Sequence, residues 1–189
     1  MRAAARTLFL RDGFEATSMD AVAQEANVSK RTVYTHFGSK QALFAEVIRH
    51  MCAEIVPESA PDGGEEDPEA WLTSVATRFL EGVYSEAQVR LYRTVVSDSR
   101  LYPEIGRMMF DGPVSATHAT LARYFERCVA RGTLELPDCE LAASQFIALI
   151  KTDVHMRLLF SHEIVFKRGE LRRTARKCVH AFLHGALPR

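Results

Sequence analysis

The chain has 189 residues, of which 47% are hydrophobic and 25% charged, and this composition excludes a wholly disordered protein. Lys plus Arg and Asp plus Glu each total 24, which excludes a uniformly basic nucleic-acid coat but not a local basic surface. The longest mainly apolar stretch, residues 141–150, is too short to span a bilayer, and we identify no signal peptide. The four cysteines lie far apart without a CxxC spacing, which favours a reducing cytoplasm.

Helical periodicity dominates the first 55 residues. Apolar residues recur three and four positions apart, which predicts four helices, over about 2–12, 18–25, 29–36 and 39–55. The first helix is expected to stop near Gly13, and Thr17 with Asp20 resembles a capping box for the second. Ser29 and Ser39 are suited to the N-cap positions of the third and fourth helices.

Segment 57–68 interrupts this periodicity, because it holds three Pro, two Gly and five acidic residues without a Lys or Arg. We interpret it as a hydrated linker, with a domain over 1–50 before it and a second domain over 51–189 that contains it. Beyond the linker the pattern predicts no strands but further helices, over about 71–83, 87–97, 103–110, 114–131, 138–160 and 168–185. The predicted fold class is therefore all-α.

Residues 17–40 carry the functional signal. Two short helices joined by a tight turn at Asn27-Val28 predict a helix-turn-helix, and Asn tolerates the left-handed backbone that such a turn needs. Val33 and Phe37 are expected to form the buried edge of the second helix. Its other edge offers donors suited to phosphates and base edges, namely Lys30, Arg31, Thr32, Tyr34, Thr35 and His36.

The sequence resembles the TetR/AcrR family of bacterial transcription regulators over AARTLFLRDGFEATSMDAVAQEANVSKRTVYTHFGSKQALF. Residues 91–160 also resemble the AefR-like C-terminal domain, through LYRTVVSDSRLYPEIGRMMFDGP and LAASQFIALIKTD. The resemblance implies a three-helix DNA-binding head, a long fourth helix, and a larger helical domain for ligand binding and dimerisation. It also implies a homodimer on a palindromic operator in double-stranded DNA, and a small-molecule effector that changes the spacing of the heads and releases the DNA.

The same resemblance makes Tyr34, His36 and Lys40 phosphate anchors and gives Thr17 or Ser18 a contact to the DNA backbone. It also places Lys30, Arg31, Thr32 and Thr35 at positions that read bases, where Arg31 is suited to a bidentate contact with guanine and the threonine methyl groups to thymine. The predicted DNA-binding set is Thr17, Ser18, Ser29, Lys30, Arg31, Thr32, Tyr34, Thr35, His36 and Lys40. An alternative for Tyr34 is half-buried packing against the next helix. For the whole chain, the alternative is a helical protein-interaction module of the same fold that has lost DNA binding.

The second domain is expected to dimerise through two long helices, over about 114–131 and 139–160. The second of these has more apolar residues than one helix face needs, although a central position in the monomer core is the alternative. Aromatic, Met and His residues suggest a pocket for an effector that the sequence does not identify, lined by Trp71, Phe79, Tyr92, Met108, Met109, His118, Phe125, Phe146 and His155. Core packing is the competing interpretation for each of them.

Neither a metal nor a cofactor is expected. His180 and His184 are spaced i, i+4 and suit one ion, but Cys178 lies on another helix face and no further ligand is evident.

The sequence contains no GxSxG, HExxH, GxxxxGK[ST] or GxGxxG motif, so we expect no enzymatic activity. We expect a cytoplasmic protein without a membrane partner. Family members usually carry a longer first helix with a basic arm before it, whereas Met1 and Arg2 of this chain fall inside that helix. The alternatives are a start placed too late, a trimmed chain, or a member without the arm. Because an arm adds phosphate contacts, DNA affinity measured on this chain is expected to be too low.

Overall fold

A computed structural model describes residues 1–53, 55 and 67–184. Within these ranges it is helical and contains no strand, as the periodicity predicts. The helices are α1 Arg2–Ala16, α2 Met19–Glu25, α3 Lys30–Phe37, α4 Lys40–Ala53, α5 Pro68–Val83, α6 Glu86–Asp98, α7 Pro103–Met109, α8 Ser115–Ala130, α9 Cys139–Lys151, α10 Val154–Leu159 and α11 Glu170–His184. A π-helical segment, Phe110–Val114, joins α7 to α8. The predicted linker lies almost wholly outside the described residues.

The chain divides into two compact units. The first comprises residues 1–53 and 86–114, and the second comprises 54–85 and 115–189. The first unit therefore extends beyond the predicted head of residues 1–50. The reason is hydrophobic burial, because α6 and α7 contribute side chains to the same core as α1 and α4, namely Leu91, Val95, Ile105 and Met109.

An aromatic cluster forms the centre of the first unit. Phe9, Phe14 and Phe44 are each at most 1% exposed, and the ring centroid of Phe44 lies 4.8 Å from that of Phe9 and 5.2 Å from that of Phe14. Gly13 has φ +85°, so the regular part of α1 ends there as predicted. The chain turn at Gly13 brings Phe14 into the core. The backbone N–H of Phe14 donates to the Asp98 carboxylate at 2.8 Å.

The core of the second unit is built from α5, α8, α9 and α11. Trp71 stacks on Tyr124 with ring centroids 3.7 Å apart. Phe182 lies 5.4 Å from Phe125 and 5.1 Å from Phe146, measured between ring centroids. Aromatic rings from four helices thus meet in this core, among a larger number of aliphatic side chains.

The predicted continuous helix over 138–160 is wrong. Thr152 has φ +52° and ψ −168°, so α9 ends at Lys151 and the separate helix α10 begins at Val154. A threonine in this conformation cannot continue the ladder of α-helical hydrogen bonds. The carbonyl of Lys151 instead accepts a hydrogen bond from the Tyr84 hydroxyl. No helix among the described residues has the length and apolarity needed to cross a membrane.

Replacing Phe44 tests the aromatic cluster. Phe44→Ala removes a ring that is fully buried between two others, so we expect the first unit to lose about 3–5 kcal/mol of unfolding free energy. Val96→Ala is the control, because Val96 on α6 is 60% exposed and its loss should change stability by less than about 0.5 kcal/mol. Urea unfolding followed by circular dichroism measures both. Equal midpoints for the two variants would contradict a core role for Phe44.

The stability of the second unit should depend on pH through His155, which is only 7% exposed. Burial, followed by the charge of Lys151, lowers the pKa of His155 to about 4. The unfolded chain therefore binds the extra proton between pH ~6.5 and ~4, where the folded chain does not. We expect the contribution of His155 to the unfolding free energy to be constant above pH ~6.5. It should fall by up to about 3 kcal/mol as the pH approaches 4.

His155→Gln should flatten this pH dependence, since the glutamine side chain does not titrate. His162→Gln is the matched control, because His162 is exposed. Urea unfolding midpoints between pH 7.5 and 4.5 measure the effect. A His155→Gln variant that loses stability with falling pH as steeply as the parent would contradict the assignment.

Candidate nucleic-acid interface

The helix-turn-helix is formed as predicted, by α2 and α3 in the first unit. Asn27 has φ +51°, the left-handed conformation expected for the turn. The N–H of Val28 donates to the carbonyl of Ala23 at 3.0 Å, and the N–H of Asn27 donates to that of Gln24 at 3.0 Å. The turn therefore satisfies carbonyls at the end of α2 while it redirects the chain into α3.

Serines cap both helices of the motif. The Ser29 hydroxyl accepts from the N–H of Thr32 at 3.1 Å, as predicted for the start of α3. The start of α2 differs from the predicted capping box, because Ser18 rather than Thr17 is its N-cap and accepts from the N–H of Ala21 at 3.0 Å. Thr17 is only 2% exposed, and its hydroxyl donates to the Gly13 carbonyl at 2.7 Å. Of the two candidates for a contact to the DNA backbone, the geometry therefore favours Ser18.

The two faces of α3 are chemically distinct. Val33 is fully buried, whereas Phe37 is half-buried at the edge of the core. Thr32 is half-buried, and its hydroxyl lies 2.8 Å from that of Ser29. The remaining predicted side chains of this helix are exposed, namely Lys30, Arg31, Tyr34, Thr35 and His36. Tyr34 is 43% exposed, so part of its side chain is accessible to a partner.

Intramolecular contacts distinguish the two cations at the start of α3. The ammonium of Lys30 lies 2.8 Å from the Asp20 carboxylate, and the hydrogen bond to Asp20 raises the pKa of Lys30. Arg31 has no ion pair or hydrogen bond of its guanidinium within the ranges that the structure describes. Asp20 was not among the predicted site residues, and its position in the first turn of α2 does not reveal this pairing in the sequence. Arg31 can therefore bind an external acceptor without first breaking an internal ion pair, whereas Lys30 must release Asp20.

Lys40 contacts the backbone of α1. Its ammonium donates to the carbonyls of Phe14 at 2.9 Å and Glu15 at 3.0 Å, and lies 4.5 Å from the centroid of the Phe14 ring. An ammonium has three N–H donors, so one remains for a ligand such as a phosphate. Ser39 caps α4 by accepting from the N–H of Ala42 at 3.1 Å. The predicted phosphate anchor is therefore also a structural lysine, half-buried in the first unit.

The predicted effector residues do not lie in one compact unit. Tyr92, Met108 and Met109 lie in the first unit. The others lie in the second unit, namely Trp71, Phe79, His118, Phe125, Phe146 and His155. Trp71, Phe125 and Phe146 pack directly on other aromatic rings, which favours a core role for them. Burial, followed by the charge of Lys151, also lowers the pKa of His118.

Two family models match the chain. Residues 70–185 match the AefR-like transcriptional repressor, C-terminal domain, and residues 2–47 match the bacterial regulatory proteins of the tetR family. The first match alone covers more than half of the chain. Both agree with the resemblance found in the sequence.

Individual relatives resemble the chain over its head or over most of its length. An uncharacterized HTH-type transcriptional regulator, YhgD of Bacillus subtilis, is 44% identical over 52 residues, which are 28% of this chain and 27% of that protein. The HTH-type transcriptional regulatory protein RaaS of Mycobacterium tuberculosis is 28% identical over 86% of this chain and 71% of its own. A solved structure of the flavonoid-responsive regulator FrrA superposes with a TM-score of 0.77 and 30% identity, covering 100% of this chain and 95% of that one. The chain therefore belongs to the tetR family of bacterial regulatory proteins, as a DNA-binding transcriptional regulator with an AefR-like C-terminal domain.

Proposed function

We propose that this regulator is a repressor that binds a palindromic operator as a homodimer and leaves it when a small molecule binds. The observation that supports the proposal best is the exposed polar face of α3, presented by a helix-turn-helix whose two helices are both capped by serine. A recognition helix of this kind inserts into the major groove with its N-terminal residues at the base edges. Operator DNA is in the cytoplasm of a bacterium, which is where we expect the protein to act.

Arg31 is the proposed base-reading residue of this face. Its guanidinium has no acidic partner within the described chain and is suited to the N7 and O6 atoms of guanine. Contacts to phosphates are proposed for the exposed or partly exposed donors around it, namely Ser18, Ser29, Lys30, Tyr34, His36 and Lys40. Thr32 and Thr35 present methyl groups that suit the methyl group of thymine.

The proposed dimer interface comprises α8 and α9. These helices pack against each other through their buried faces, and yet Leu141 is 53% exposed, Leu149 39% and Val129 37%. An exposed apolar surface on two adjacent helices suits an isologous contact with a second copy. Because the helix breaks at Thr152, the proposed interface ends with α9 and does not include residues 152–160.

The effector is proposed to be an apolar or aromatic small molecule bound within the second unit. Six aromatic side chains lie in the buried core of this unit among a larger number of aliphatic ones, with the buried His155 and the half-buried His118 as polar groups. The name of FrrA describes a response to flavonoids, which are aromatic, and that regulator aligns with the whole of this chain. No catalytic function is proposed for this chain.

Selection of genomic fragments by the purified protein, followed by sequencing, tests the proposed function. We expect one enriched palindrome at about physiological salt. Failure to enrich any sequence would favour the alternative of a protein-interaction module, in which the exposed face of α3 binds another protein.

Arg31→Ala tests base recognition on the selected operator. We expect a loss of about 1–3 kcal/mol of binding free energy, together with relaxed preference at one position of each half-site, because a bidentate contact to guanine is lost. Repeating the selection with the variant and measuring fluorescence anisotropy on single-base operator variants gives both quantities. Arg168→Ala is the control, since Arg168 is an exposed arginine of the second unit outside the proposed dimer interface. An unchanged sequence preference would show that Arg31 does not read a base.

Lys40→Ala separates phosphate binding from structural support. We expect weaker binding to all sequences and a salt slope reduced by about one, because one phosphate contact is lost. The variant should also unfold at lower urea concentration, since the carbonyls of Phe14 and Glu15 lose their charged donor. A lower stability with an unchanged salt slope would mean that Lys40 is structural only.

A further inference from the structure

Three metal-ligating side chains meet at one end of the second unit. Glu69 lies in the first turn of α5, whereas His180 and His184 lie near the end of α11. One ligand atom from each of the three side chains lies within 4.8 Å of the other two. The ring centroids of the two histidines are 4.5 Å apart, and Nε2 of His184 lies 3.9 Å from a carboxylate oxygen of Glu69. The sequence indicates the histidine pair but not its acidic neighbour, which is more than 100 residues away.

Packing in the core holds these helices together independently of the three polar groups. α5 and α11 lie side by side, and Ala175 and Val179 on α11 are fully buried, as is Leu72 on α5. The i, i+4 spacing places His180 and His184 on the same side of α11, one turn apart. The backbone positions of the three ligands are therefore already set by hydrophobic contacts, so binding an ion requires only adjustment of side chains.

The geometry points to a zinc-binding site formed by Glu69, His180 and His184. Zn²⁺ binds imidazole nitrogen at ~2.0–2.1 Å and carboxylate oxygen at ~2.0–2.2 Å, so neighbouring ligand atoms of a tetrahedral site are about 3.3 Å apart. The 3.9 Å separation of His184 and Glu69 closes to that value through small rotations of their side chains. These side chains are 35% and 40% exposed, which leaves them room to rotate and gives a water molecule access to the fourth position.

The ligand chemistry favours zinc over calcium or magnesium. Two imidazoles and one carboxylate suit a borderline cation, whereas Ca²⁺ and Mg²⁺ require sites made mainly of oxygen. The surface groove beside Glu69 has balanced charge, because Asp67 and Glu81 line it together with Arg78, Arg172 and Arg176. A cation held by charge alone is therefore not favoured there. Cys178 does not take part, because its sulfur contacts the carbonyl of Leu149 at 3.7 Å.

The bound ion would link the start of α5 to the end of α11. Such a link restrains two helix ends of the second unit, and an ion that binds only the folded chain stabilises it by mass action. This consequence concerns only the second unit. It does not depend on the repressor function, the operator or the organic effector proposed above.

Titration of the full-length, metal-free protein with Zn²⁺ against a chromophoric zinc chelator tests the site. We expect one ion per chain and at least tenfold weaker binding for His180→Ala and for His184→Ala. Glu69→Gln should weaken binding in the same way, because a neutral amide is a poorer ligand than a carboxylate. His162→Ala is the matched control and should bind as the parent does, since His162 is exposed and lies outside the cluster.

Two further measurements distinguish this site from binding at the four free cysteines. Co²⁺ in place of Zn²⁺ should give a spectrum without a thiolate charge-transfer band, and Cys178→Ser should leave the Zn²⁺ affinity unchanged. Saturating Zn²⁺ should raise the melting temperature of the parent and of His162→Ala, but not that of His184→Ala. Equal Zn²⁺ affinity of the parent, His180→Ala and His184→Ala would overturn the proposal, as would a cobalt–thiolate band.

Discussion

The structure of the DNA-binding unit depends on side-chain hydrogen bonds to the backbone at the end of α1. Gly13 has φ +85° and interrupts the regular helix. The backbone N–H and carbonyl groups of the next residues then need partners other than those of a regular helix. Asp98 accepts the N–H of Phe14, and the ammonium of Lys40 binds the carbonyls of Phe14 and Glu15. The Phe14 ring can therefore enter the aromatic core without leaving its backbone unsatisfied. This arrangement joins α1 to α4 and α6 through charged side chains as well as through apolar contacts.

The same bonding affects what the unit offers to DNA. Lys40 gives two donors to the protein itself, and Lys30 is paired with Asp20 across the motif. The positive charges of Lys30 on α3 and Lys40 on α4 are thereby partly used inside the unit, whereas the guanidinium of Arg31 has no ion pair among the described residues. Because exposed ion pairs are worth little, the pair formed by Lys30 and Asp20 can open when a phosphate approaches. Under the proposed function, the unit thus combines the structural contacts of Lys40 with cations on α3 that contact the DNA.

The second unit differs from the first in its core and in the apolar residues on its surface. Its core combines aliphatic side chains with stacked and edge-to-face aromatic rings, and it includes the buried His155, whose pKa is lowered to about 4 by burial. An interior of this kind suits apolar ligands, and its outer apolar residues on α8 and α9 suit a second copy of the chain. The break at Thr152 limits the length of helix available for such a contact. In contrast to this apolar core, Glu69 and two histidines form a polar cluster on the surface between α5 and α11.

Local chemistry made much of this protein predictable from its sequence. Apolar spacing located the helices, Ser29 and Ser39 marked helix starts, Gly13 marked an end, and Asn27 marked the turn, because each acts through its own backbone or its nearest neighbours. The run TVYTHFGSKQALF likewise indicated the family. Other features were decided only by the tertiary structure, namely the Lys30–Asp20 pair, the binding of Lys40 to α1, the inclusion of α6 and α7 in the first core, and the meeting of Glu69 with His180 and His184. Each of these joins separate elements of the chain, so helical periodicity carries no information about it until the elements are packed.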